Sequence, residues 1–379
     1  MSAGAEPLSL SIPSGRLRAW AIGLALIGLA PVVGAFTTGL HDWPAFWSAG
    51  ATAGTPDLVD SARHLAWQRA HGLPEAFFAY PAGSAWLFAP FAWLPMTVGF
   101  VFHGLLMLAA AIGAGLVAGP VYGLDRRVSI LAVLAFAPVT ASVVLGQNGA
   151  LGLLLAVVAL VGLVTGRPLL AGVAIGLLLY KPTFAIPLIG LLLLRGRWRE
   201  LLVVALVGVL WYVAGVAAAG GDWLWLNPWL SGLRGYLDLD FAGNADKAVS
   251  LTGLVARLGL PGVVPVIAAV ALVSVSLPRL ARVPMLEAAS VACLLGVAVS
   301  PHAWGYDAAL ALPFLLWLLA GHGPLGTSPR TTVIVAAYVL APFWLVSRQT
   351  VVSAVAIIVL GLMLVWLLRG TPDDHGRTR

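Results

Sequence analysis

RGRWRELLVVALVGVLWYVAGVAAA, residues 195–219, sets three arginines against a run from Leu201 to Ala219 that holds no charge. A helix rises about 1.5 Å per residue, so such a run is close to the roughly 30 Å of a bilayer's hydrocarbon core. Similar runs recur along the chain. Of the 379 residues, 60% are apolar and 9% charged, whereas a soluble domain carries about 25% charged residues. A chain of this composition cannot clothe itself in polar surface, so lipid is its solvent. Nothing between the apolar runs is long enough to build a separate soluble core. One membrane domain is expected, all-α and polytopic, of about 10–12 transmembrane helices. The net charge of +6 is scattered between spans, which points to topology and not to nucleic acid.

The expected spans are 19–40, 96–119, 129–145, 149–164, 169–183, 184–194, 200–219, 261–277, 285–299, 306–320, 331–346 and 351–368. Several are too short to cross a bilayer alone. Broken or re-entrant helices are expected around Lys181-Pro182, where buried protein or a polar cavity must satisfy the backbone. With the N-terminus inside, 14 of the 21 Lys and Arg fall on the cytoplasmic side, Arg195, Arg197 and Arg199 among them. Residues 1–18 and 370–379 are then cytoplasmic tails flanking a single domain, 19–369, of a multi-pass protein of the cytoplasmic membrane. Two outward loops are long, 41–95 and 220–260. Amphipathic stretches are expected in them at Asp60 to His71 and Val249 to Leu258. Their tryptophans, such as Trp43, Trp47, Trp93, Trp223 and Trp225, suit the headgroup layer. Cys293, the only cysteine, reads as a small buried hydrophobe.

Polar chemistry is concentrated at a few outward helix ends. Asp42 follows the first span among aromatics, where partial desolvation makes a carboxylate a better base; a helix N-cap is the plain alternative. Lys181 is the one basic residue amid long apolar segments, suited to holding a phosphate or, more simply, to snorkelling. Ser300-Pro-His-Ala-Trp-Gly-Tyr-Asp307 gathers His302, aromatic rings and an acid, with Asp307 as an alternative helix cap. Gln147 and Asn148 occupy a sharp turn and suit sugar hydroxyls, because each amide both donates and accepts. Residue spacing suggests no metal site.

The order of these motifs resembles glycosyltransferase family 87, a group of the GT-C superfamily. Asp42 to Gly50 has the form D-x-x-x-[FYW]-W-x-A-G. Phe78-Ala-Tyr-Pro81, Gly146-Gln-Asn148, Ala171-Gly172 before Lys181-Pro182, the Arg-rich turn and Ser300 to Asp307 follow in sequence. Tyr80-Pro81-Ala82 replaces the family's usual Tyr-Pro-Pro, and His302 precedes the place where the mannosyltransferases carry a histidine. The resemblance implies a GT-C bundle with outward loop helices. It also implies a polyprenyl-phosphate-linked sugar donor, mannose in the known members, with a lipid or glycan acceptor, inversion and no cofactor. Asp42 becomes the catalytic base, Lys181 and His302 the phosphate ligands, and Tyr80, Gln147, Asn148, Tyr306 and Asp307 the substrate contacts. A transporter or flippase of lipid-linked intermediates is the alternative from another class.

Overall fold

The computed structural model describes residues 42–244, 248–321, 359–364 and 366–367. The expected tails, the first span and the span 331–346 lie outside the described residues. Every regular element described is helical. The principal helices are α1 (Trp43–Thr52), α2 (Ser61–Ala70), α3 (Met96–Tyr122), α4 (Arg126–Ala135), α5 (Ala137–Val144), α6 (Gly149–Val164) and α7 (Pro168–Leu177). They are followed by α8 (Pro182–Leu194), α9 (Trp198–Ala218), α10 (Leu226–Asn244), α11 (Leu251–Arg257), α12 (Val263–Leu280), α13 (Met285–Val299) and α14 (Leu312–Leu319).

Among the described residues, α3, α9 and α12 are long and apolar enough to cross a bilayer, and α4 with α5 makes a fourth if that bent pair is one span. The continuous span expected over 129–145 is broken, because α4 and α5 meet at 63°. Pro138 lies in the first turn of α5; it has no N–H for the carbonyl four residues back, and its ring clashes there. The next break falls at Lys181, between the 3-10 turn Leu178–Tyr180 and α8, where the broken helix was expected. Pro182 again opens the second helix. Such half-length helices bring polar backbone and side chains to the interior.

Burial sorts the helices by role. In α13 every residue from Glu287 to Ala298 is buried, and α14 is buried from Leu312 to Leu318. These helices, apolar on every side apart from the hydrogen-bonded Glu287 and Ser290, form the centre against α6 and α8. In contrast, α9 exposes Leu202, Leu206, Val209 and Leu210, and α12 exposes Val263, Val266, Ile267 and Val270. Apolar rows of that size are a lipid-facing surface. Cys293 is buried, as its apolar setting requires.

Where α7 meets α9 the packing depends on two glycines four residues apart. A Cβ on Gly172 would lie 2.5 Å from Val203 Cβ, and one on Gly176 2.5 Å from Val207 Cβ. Small residues let helix backbones approach closely where lipid supplies no hydrophobic drive. Trp211 Nε1 uses that closeness to donate to the Gly176 carbonyl at 3.1 Å.

A second core gathers beneath α1. Trp43, Phe46, Phe78, Tyr80, Phe88, Phe100 and Trp225 are buried together. The expectation that loop tryptophans lie at the headgroups therefore fails for Trp43 and Trp225. Trp43 is wholly buried because its indole N–H finds the Met96 carbonyl at 2.9 Å. Trp93 and Trp223 are exposed. The loop helices expected at 60–71 and 249–258 are present as α2 and α11, with Asp60 capping α2 through the Ala62 and Arg63 N–H groups. The inward side of α2 is not an apolar stripe, however. Its buried residues are His64 and Gln68, and it docks through hydrogen bonds.

Replacing Gly176 with Leu should force α7 from α9 and cost about 1–3 kcal/mol of overpacking. Gly190→Ala on α8, where an added Cβ meets nothing within 4 Å, should leave thermal unfolding in detergent unchanged. Equal midpoints for the two variants would contradict this packing.

Candidate functional site

Asp42 stands at the N-terminus of α1, yet its side chain makes no capping bond. It faces inward, and Gln147 Nε2 donates to its Oδ2 at 2.6 Å. Several constraints hold this contact. Gly50, which ends the motif begun by Asp42, lets α1 lie against the chain at Phe88–Ala89; a Cβ there would meet the Phe88 carbonyl carbon at 2.6 Å. Gly146 has φ +68°, the left-handed region, and a Cβ would press on Trp43 and Phe100 at 3.2 Å. Beyond it, Gln147 N–H donates to the Ser142 carbonyl at 2.7 Å, and Gly149 abuts the Tyr306 carbonyl. The turn is therefore fixed, and Gln147 with it.

Gln147 and Asn148 are each only 3% exposed. Their side chains are used within the protein, Gln147 on Asp42 and Asn148 on His103, whose Nε2 lies 3.1 Å from Asn148 Oδ1. Tyr180 hydroxyl donates to the Asn148 carbonyl at 2.9 Å. These amides act as buttresses around Asp42.

Lys181 is not a lone cation. Its Nζ lies 2.5 Å from Asp307 Oδ1, and the two side chains are 11% and 4% exposed. Three rings surround the ammonium: Phe184 at 4.7 Å, Tyr306 at 5.3 Å and Tyr80 at 5.6 Å to their centroids. An ammonium has three protons, and ring faces attract it without consuming an acceptor, so protons remain for a further anion. Asp307 also serves as a cap, of the 3-10 turn Gly305–Ala311 in which it sits: its Oδ2 accepts the N–H of the N-cap residue Trp304 at 3.0 Å. Burial raises the pKa of the Tyr80 hydroxyl, with the Lys181 charge opposing. Tyr80 is therefore a neutral hydroxyl at pH 7.

The Gln147–Asn148 turn joins the two halves. Gln147 holds Asp42, the Asn148 carbonyl accepts from Tyr180 next to Lys181, and Gly149 abuts the Tyr306 carbonyl next to Asp307. The acid of the first loop and the ion pair of the last thus meet at one turn, although 265 positions separate Asp42 from Asp307 in sequence. His302 stands further out: Trp304 Nε1 donates to its Nδ1 at 3.3 Å, and the Trp304 ring stacks on Tyr306. Among the described residues no group of three His, Cys, Asp or Glu side chains gathers to hold a metal.

The sequence reading missed three participants. His103 lies within α3, and an ionisable residue in an apolar span was the available signal. Tyr180 adjoins Lys181 but looks like any aromatic at a helix end. The third is a polar knot behind α1. Ser48 Oγ is 2.9 Å from His64 Nε2 and accepts from Gln68 Nε2 at 2.8 Å. Gln68 also exchanges two hydrogen bonds with Ala76. The knot ties α1, which begins beside Asp42, to the segment leading to Tyr80.

Two outcomes test this construction. Breaking one side of a buried ion pair costs about 3–5 kcal/mol, whereas removing both charges costs far less. Asp307→Ala should therefore lower the thermal midpoint in detergent more than the double variant Asp307→Ala, Lys181→Met; additive losses would show the charges to be uncoupled. His64 is shifted from 6.5 to about 4 by desolvation, with Asp57 opposing. An unfolded chain takes up the proton from about pH 6.5 downward while the folded chain resists, so the stability contributed above pH 6.5 declines until about pH 4. The total is of order 3 kcal/mol. His64→Gln should flatten the fall in midpoint between pH 7 and pH 5; an unchanged slope would place the titration elsewhere.

The model of glycosyltransferase family 87 matches residues 78–301, a span that runs from before Tyr80 through Ser300. No curated protein and no solved structure matches the chain.

Proposed function

The chain belongs to glycosyltransferase family 87, and we propose that it moves a sugar, mannose in this reading, from a polyprenyl phosphate to a lipid or glycan acceptor. It is a membrane glycosyltransferase, and the transporter reading gives way to that. The finer reading rests on one observation above others. A carboxylate, Asp42, is held at 2.6 Å by Gln147, in the turn whose next residues, Asn148 and Gly149, touch Tyr180 and Tyr306 beside the Lys181 ammonium. In this reading base and cation flank one space.

In this mechanism an Asp42 oxygen accepts the proton of the acceptor hydroxyl as that oxygen bonds to the anomeric carbon. The bond from the anomeric carbon to the phosphate oxygen breaks on the opposite face, so configuration inverts. The bonding pair leaves with the polyprenyl phosphate. Gln147 donates to Oδ2 and so fixes the carboxylate's orientation. Lys181 stabilises the charge gathering on the phosphate, the kind of electrostatic contribution that dominates many enzymes. Because Asp307 already neutralises Lys181, the cation is tolerated in its apolar surroundings before the anion arrives. His302, Trp304 and Tyr236 would line the outer approach to this space. In this reading, which the arginine-rich turns between spans support, the site faces outward from the cytoplasmic membrane and both termini lie inside.

General-base removal typically costs about 100- to 10,000-fold. Asp42→Asn, nearly isosteric, should reduce transfer of radiolabelled mannose from polyprenyl phosphate to extracted membrane lipids by about that much, with thermal unfolding unchanged. Wild-type transfer by this variant would remove Asp42 from the chemistry.

A further inference from the structure

His103 has no role in the steps above, yet it sits between the two chain segments whose contact orients Asp42. It lies within α3 and is 1% exposed. Its ring packs against Trp43 at 4.9 Å between centroids, with Phe91 at 5.7 Å and Phe88 at 6.1 Å around it. Trp43 opens α1 and follows Asp42 directly; its indole is tied to the carbonyl of Met96, where α3 begins. On its other side His103 Nε2 lies 3.1 Å from Oδ1 of Asn148, the residue after Gln147. An amide oxygen only accepts, so Nε2 carries the proton. One side chain thus touches the neighbour of the acid and the neighbour of the amide that holds it.

Packing alone does not account for a histidine here. Its Nδ1 is buried and makes no hydrogen bond among the described residues, a cost that a phenylalanine in the same slot would avoid. What the histidine adds is the bond to Asn148. The Asn148 N–H2 is likewise without a partner among the described residues, so the bond to His103 is the one that orients that side chain. The other anchors of the turn hold its backbone. The Ser142 carbonyl takes the Gln147 N–H, and the Asn148 carbonyl takes the Tyr180 hydroxyl. These two tie the turn to α5 and to the Lys181 break, and neither reaches α1, where Asp42 stands. His103 does, because its ring meets Trp43 and Asn148 together. A hydrogen bond of 2.6 Å between Asp42 and Gln147 tolerates little relative movement of its two ends.

We propose that His103 is a positioning residue: by clamping Asn148 against Trp43 it sets the Gln147 amide opposite the Asp42 carboxylate. Its bearing on transfer rests on the assignment of Asp42 as the base. His103 touches no substrate and moves no proton. Without its N–H the turn and the start of α1 lose a common anchor, and the carboxylate spends less time in the orientation that meets the acceptor hydroxyl. That loss falls on the rate of transfer and not on donor binding, because in the proposed chemistry the donor phosphate is met from the Lys181 side.

Two measurements on the full-length protein in detergent test this, and the first needs no turnover. Asp42→Ala and Gln147→Leu each remove one side of the same hydrogen bond, so together they should lower the thermal midpoint by clearly less than the sum of their separate losses. His103→Phe keeps a ring against Trp43 but drops the N–H, and in that background the shortfall should disappear. With His103→Gln, which can still donate to Asn148 Oδ1, it should return. A role in packing alone would leave the shortfall unchanged by His103→Phe. The second measurement is transfer from radiolabelled polyprenyl-phosphate mannose to extracted membrane lipids. His103→Phe should lower kcat about tenfold, the rate equivalent of one hydrogen bond, with the KM for the donor within about twofold of wild type. His103→Gln should recover kcat to within about threefold. An equal shortfall with and without His103→Phe, or none in the wild type, would overturn the proposal. So would wild-type kcat in His103→Phe beside an inactive Asp42→Asn. If His103→Phe fails to fold, Asn148→Leu removes the same bond from its other side and takes its place. If the wild type transfers no mannose, the midpoints alone decide. Wild-type transfer by Asp42→Asn, together with a shortfall that His103→Phe abolishes, would remove the base and leave the His103 clamp standing.

Discussion

A bare ammonium in an apolar interior is too costly to persist, and Lys181 lies where α7 and α8 break among buried helices. Much of the arrangement follows from satisfying that charge. Asp307 must come within contact, so the start of the 3-10 turn Gly305–Ala311 is drawn against the Lys181 break. Tyr80, Phe184 and Tyr306 supply ring faces, which bring the first loop and α8 to the same point. The Trp304 N–H takes the other Asp307 oxygen. A site made this way is charge-balanced before any ligand arrives. In the proposed chemistry an incoming phosphate would compete for protons on a cation that is already in place.

Rigidity around Asp42 has a different source. Close packing supplies it. Gly50 and Gly146 permit contacts that any Cβ would obstruct, and the buried rings of Trp43, Phe46 and Phe88 fill the space between them. The polar knot of Ser48, His64 and Gln68 fastens α1 from behind. If Asp42 is the base, as proposed, a carboxylate held between a donor amide and a packed helix start loses little freedom when substrate binds, which is the preorganisation that transfer chemistry needs.

The membrane class, most helix positions and the motif order could be read from the sequence because each rests on local composition. Runs such as 149–164 and 285–299 coincide with α6 and α13. The break at Phe136 was not anticipated, because Pro138 sits within an apolar run that otherwise reads as continuous. Site residues were recognisable by type but not by pairing. Asp307 could be read as a cap, which one of its oxygens is, but not as the partner of Lys181; only the tertiary fold brings positions 126 apart into contact. His103 escaped notice because a single histidine among Leu, Ala and Gly carries no pattern. The inward face of α2 was misread because His64 and Gln68 are buried by hydrogen bonding, for which hydropathy has no signature.

The central claim is that one space, walled by Asp42 and Lys181, receives the phosphate-linked sugar. A cryo-electron microscopy structure of the full chain bound to polyprenyl phosphate tests it most directly. The account predicts a phosphate oxygen within hydrogen-bond distance of Lys181 Nζ, with the Asp42 carboxylate facing the side on which the sugar would stand. A phosphate held elsewhere, with Lys181 and Asp307 closed on each other and Asp42 remote from it, would contradict the account.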